Sequence, residues 1–133
     1  MTTTTPEPQV DEADQPTLGE LLVRNAREGR DRVAAQALAE EESLLAHAGV
    51  RAALVVKQDG RMTAVWERLM GRLYTLGLDE PQRAFLGLVL SMTGIGSIPL
   101  TAVESLDERR LLVMQRALVR LAGNDRIAIG TRL

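Results

Sequence analysis

Over most of this chain the apolar positions recur at intervals of three and four residues, which is the helical period. The clearest run lies near the C-terminus. Leu111, Met114, Leu118 and Leu121 make one stripe, and Leu112 and Val119 widen it beyond what a solvated helix needs. Ser105 and Glu108 have capping-box spacing, Asp107 and Glu108 stand in the first turn, and Arg116 and Arg120 lie toward the last. Gly123 supplies a left-handed stop. The pattern predicts a core helix over 106–122.

Four further stretches follow the same rules. Thr17 with Glu20 is a capping box opening a helix at Leu18. Leu22, Ala26, Val33, Ala37, Leu44 and Ala48 share a stripe if that helix runs on to Gly49. The pairs Arg24/Glu28 and Glu28/Arg32 favour one long helix over 18–48, and a break at Gly29 is the alternative. Met62, Val65, Trp66, Leu69, Met70, Leu73 and Tyr74 predict a helix over 61–76, stopped by Gly77. Asp79, Pro81 and Gln82 open another, apolar nearly all round through Phe85, Leu86, Leu88, Val89, Leu90 and Met92, and so expected to be the central helix. Residues 100–104 read as one short helical turn.

Two short apolar runs break the rhythm. Residues 50–56 lie between Gly49 and the turn pair Asp59-Gly60, and periodicity alone does not type them as strand or helix. Residues 126–131 follow the turn chemistry of Asn124-Asp125 and suit a short strand. If both are strands, they form the natural pair. The chain therefore reads as a mainly α protein: an acidic, proline-broken disordered tail over 1–16, then a single helical domain of four to five helices over 17–133. A small two-stranded ribbon, 50–56 with 126–131, completes it.

Composition narrows the chemistry. The chain has 133 residues, no cysteine and one histidine, which excludes disulfides, thiol nucleophiles and Cys-based metal sites. No apolar run approaches the ~20 residues of a membrane span. Nothing at the N-terminus has a signal-peptide layout, so a cytoplasmic protein is expected. Residues 1–50 carry four arginines against ten acidic residues; residues 51–133 carry twelve basic against eight acidic. The acidic front half and the basic back half are able to attract each other, within one chain or between two copies.

No catalytic, cofactor-binding or metal-binding set emerges. Gly94-Ile95-Gly96-Ser97 lacks the third glycine of a dinucleotide fingerprint and the lysine of a P-loop, and it follows a helix rather than a strand. His47 reads as a surface or capping residue. Glu40, Glu41 and Glu42 are adjacent, so on a helix they diverge and read as a solvated face. The strongest functional signal is basic: Arg109, Arg116 and Arg120 share a helix face, with Arg110 beside them and Arg126 and Arg132 following.

Two functions suit these features. The first is a non-catalytic regulatory or adaptor module acting through helix–helix contact, without cofactor, with a protein partner or a second copy; a homodimer with Leu38 and Leu45 at an interface is expected. The second is a winged helix-turn-helix DNA binder, with the helix 106–122 in the groove and 126–132 as the wing. It requires Arg116 and Arg120 exposed with Arg126 beside them.

Overall fold

In a computed structural model of the chain the described residues are 15–132, so the tail expected over 1–16 lies, up to residue 14, outside them. Thr17 opens the first helix, α1 (Leu18–Arg24), by accepting the Glu20 N–H on its hydroxyl at 3.2 Å. The helix does not continue to residue 48. Asn25 ends it, and its side-chain amide donates to the Met62 carbonyl at 2.9 Å, fixing a corner from which α2 (Gly29–Glu41) runs back along α1. Gly19 makes this fold-back possible. A Cβ there would stand 2.6 Å from Ala39 Cβ, so only glycine lets the two helices approach this closely. Gly29 is the first residue of α2 rather than a flaw in mid-helix.

A second break follows at Glu42, whose φ of 73° and ψ of −43° end α2 and begin the single turn α3 (Ser43–Ala46). His47 then caps α4 (Ala48–Leu54), its ring Nδ1 accepting the Val50 N–H at 3.2 Å. The capping role expected of His47 is present, at a helix N-terminus rather than a C-terminus.

The ambiguous run 50–56 is both things it resembled. Its first part is α4, and from Val55 it becomes β1 (Val55–Gln58). The partner strand is β2 (Arg61–Ala64), antiparallel, with Val55 opposite Ala64 and Gln58 opposite Arg61. Asp59 (φ 53°) and Gly60 (φ 77°) make the two-residue turn, with positive φ at both central residues as a type I′ hairpin requires. This corrects two expectations. The ribbon does not join 50–56 to 126–131, because a neighbouring strand two residues away closes a far shorter loop than one at the end of the chain. Nor is 61–76 a helix. Its first residues are spent on β2, the Val65 N–H extends the pairing to the Leu54 carbonyl, and only the 3₁₀ turn Trp66–Leu69 survives of the helical pattern.

The helix α5 (Glu80–Met92) forms as its sequence dictates. Asp79 and Gln82 exchange the reciprocal capping-box bonds, Pro81 occupies the first turn, and every residue from Ala84 to Leu90 is buried. A 3₁₀ helix (Leu100–Ser105) packs on it and leads to α6 (Glu108–Leu121). Ser105 does not cap α6. It ends the 3₁₀ helix, its hydroxyl donates to Glu80 Oε1 at 3.1 Å, and Asp107 takes the cap position. With six α-helices, two 3₁₀ helices and one hairpin among the described residues, the architecture is mainly α with a small antiparallel ribbon. One apolar core joins α1, α2, α4, α5 and the inner side of α6. No helix of the described residues is long and apolar enough to cross a membrane.

Candidate interaction surface

The last helix carries three kinds of residue on three different sides. Its inner side is Val113, Met114 and Ala117, all buried, with Arg110 on the same stripe. The small side chains Val113 and Ala117 let α6 lie close against α2, its main neighbour. This is a rotated version of the expected core stripe. Of Leu111, Met114, Leu118 and Leu121, only Met114 is buried; the three leucines keep 37%, 47% and 37% of their surface exposed.

A cluster of charges fixes that rotation. Of the three glutamates expected to form a solvated face, Glu42 is exposed, Glu40 is half-buried and Glu41 is buried, and each meets one arginine. Glu40 Oε1 receives Arg120 at 2.6 Å, Glu41 Oε2 receives Arg110 at 3.3 Å, and Glu42 lies 3.8 Å from Arg109. They diverge, as adjacent helical residues must, and α6 running past the end of α2 offers a cation to each. Glu41 is the buried member, with no exposed surface. Its carboxylate also caps α3, accepting the Leu44 N–H at 3.0 Å and the Ser43 hydroxyl at 2.8 Å. Burial by itself would lower the pKa of Arg110. The hydrogen bonds and charges of Asp107 and Glu41 outweigh that and hold it above the usual guanidinium range. The attraction between the acidic front and basic back of the chain is thus realised within one molecule.

These contacts decide the basic residues. Arg109, Arg110 and Arg120 turn toward α2; Arg109 also donates to the Glu40 carbonyl at 3.2 Å. Arg116, Arg126 and Arg132 are exposed and have no ion pair among the described residues. Residues 126–132 form no strand. Asn124 Oδ1 accepts the N–H groups of Arg126 and Ile127 at 2.8 and 3.2 Å, a local turn that withdraws two donors a wing would need. The hairpin of this fold precedes α5 instead, so the order of a winged helix-turn-helix is not built. Leu38 and Leu45, expected at an interface, are 0% and 8% exposed and belong to the core of the single chain.

What α6 leaves outward is a seam. Glu108, Leu111, Gln115, Leu118 and Ala122 are spaced three, four, three and four residues apart, the interval at which one helix meets another, and all five are exposed. Leu112 and Val119 border it and are half-buried. The spacing of Glu108, Gln115 and Ala122 around Leu111 and Leu118 is visible in the sequence, but the same leucines also fit a stripe through Met114 and Leu121, and the sequence does not choose between the two.

A cleft of about 460 Å³ opens between the α1–α2 corner and the hairpin, with Leu22, Trp66 and Ile95 among its apolar walls. Glu28, Asp31 and Glu67 line it with Arg27. Partial burial, then the like charges of Glu28 and Glu67, raise the pKa of Asp31 against the lowering effect of Arg27. Among the described residues no three His, Asp or Glu side chains converge to hold a metal ion. No family model matches this chain, and no curated protein and no solved structure matches it either.

Proposed function

We propose that this chain is a non-catalytic regulatory or adaptor module that works by helix–helix contact, with a second copy of itself docking on the outer seam of α6. The observation that carries the reading is the exposure of Leu111 and Leu118 at heptad spacing, on a helix whose inner side and arginine edge are already occupied. Scattered exposed leucines are ordinary on protein surfaces; a row of them at the interval of a helix pair is a contact face. A cytoplasmic setting fits the absence of cysteine.

Such a dimer is weak. A helix of 14 residues spans about 21 Å, so a single seam sits at the low end of stable interface areas, and a Kd on the order of 10–100 μM is expected. Light scattering across a concentration series from ~1 to ~500 μM tests this. The mass should rise from that of one 14.5 kDa chain toward twice it. Leu118→Glu should hold the protein at one chain throughout, and Leu118→Met should leave the rise intact. A mass that stays at one chain at every concentration overturns the reading.

A further inference from the structure

If two copies meet on this seam, its charge pattern selects their direction. We infer, resting on the proposed self-association, that the two α6 helices pack antiparallel, with Gln115 near the two-fold axis.

Glu108 occupies a seam position itself, and it is exposed with no ion pair among the described residues. A parallel pair would set Glu108 of one copy directly against Glu108 of the other. Two like charges at a contact position repel as the interface dries. It would also gather the Glu108 carboxylates at one end and the exposed cations Arg116 and Arg126, in the second half of α6 and just past it, toward the other; none of these three has an ion pair among the described residues. The antiparallel pair removes both conflicts. Each Glu108 then faces Ala122 of the other copy, seven residues beyond Gln115, where a small side chain leaves room for the carboxylate to reach water. The exposed Arg126 lies four residues past that alanine, in the turn that follows α6, so the C-terminal end of each helix offers a cation to the Glu108 end of the other. Leu111 and Leu118 fill the two apolar positions on either side of the axis. Gln115 of both copies comes together at the centre, where a side-chain amide both donates and accepts and so satisfies its counterpart across the axis.

The chain has no cysteine, so disulfide trapping has a silent background. Glu108→Cys and Ala122→Cys are both exposed substitutions, and Ala122→Cys is made with a size tag so that the three crosslinked products separate on a gel. The two proteins are mixed at ~200 μM and oxidised. The mixed 108–122 disulfide should exceed each self-pair by roughly ten-fold or more. Dominant self-pairs of 108 with 108 and 122 with 122 would overturn the antiparallel direction in favour of the parallel one. No disulfide of any kind between the cysteine variants, alongside a wild-type chain that light scattering shows as a dimer, would overturn the α6 seam as the contact while leaving self-association standing. A wild-type chain monomeric by light scattering would overturn both the direction and the reading beneath it. A charge exchange gives a second readout in the full chain. Arg126→Glu should weaken the dimer several-fold, and Glu108→Arg added to it should restore the affinity. Failure of the second change to restore it counts against the antiparallel ends.

Discussion

Helices α5 and α6 are nearly equal in length and both rich in leucine, yet they do opposite work. The first buries eight of its 13 residues, and the second buries three of 14. The difference lies in what separates the apolar residues. In α5 the run from Ala84 to Leu90 contains no charge, so no side can face water and the helix must be central. In α6 five arginine and acidic side chains from Glu108 to Arg120 interrupt the leucines. The helix therefore has two apolar sides divided by charged edges. One side meets α2; the other is exposed. Two leucine-rich helices of similar length thus become a buried helix in one place and a half-exposed one in the other.

The comparison is broken most sharply by truncation. Phe85→Ala in α5 empties a fully buried site and should cost about 3–5 kcal/mol in a denaturant titration. Leu118→Ala in α6 should stay within about 0.5 kcal/mol for the monomer, while abolishing the concentration-dependent rise in mass. Equal losses from the two changes would mean that the outer side of α6 is core after all.

The charges that orient α6 are tested next. Glu41→Ala removes the buried carboxylate that pairs with Arg110 and caps α3, so about 3 kcal/mol of stability should go with it. Glu42→Ala breaks a pair that is 3.8 Å long and exposed on both sides, and should be nearly silent. Glu42→Gly should stabilise, by about 1 kcal/mol, because the left-handed φ at that residue favours glycine. Matching chemical denaturation curves for Glu41→Ala and Glu42→Ala would show that burial does not distinguish the two pairs.

The smallest effect comes from the cleft, where carboxylates lack the partners that Glu40, Glu41 and Glu42 find. The pKa of Asp31 is higher in the folded chain than in the unfolded one. Its stabilising contribution is therefore complete below the ordinary aspartate range and lost as the pH rises through the raised folded value. At neutral pH the ionised group is a liability. Asp31→Asn should then raise the melting temperature modestly at pH 7, and the gain should vanish on acidification below the aspartate range. A gain that persists unchanged in acid would assign it to something other than the charge.

Several elements were legible in the chain because their causes are local. The capping box of Asp79 and Gln82 specifies the start of α5 within four residues. Thr17 opens α1 in the same way, and Asp59-Gly60 marks the hairpin turn wherever its strands come from. The segment 61–76 misled because its apolar residues satisfy a helical interval, but a two-residue turn beside β1 captured the first of them for pairing. The seam of α6 misled in another way. A stripe through Leu111, Met114, Leu118 and Leu121 satisfies the helical interval, but only Met114 of the four is buried.

By itself the sequence determined the mainly helical character of this protein, the starts of α1 and α5, the buried position of α5 and the absence of thiol chemistry. Those properties depend on residues within a turn or two of each other, where spacing and capping act directly. Only the tertiary structure decided which side of α6 is inside, where α2 stops, and which cation each of Glu40, Glu41 and Glu42 meets. The physical reason is that a helix with two apolar sides can bury either one, and the choice falls to whatever stands across from it. Here that is the end of α2, whose buried Glu41 draws Arg110 inward and leaves Leu111 and Leu118 facing out.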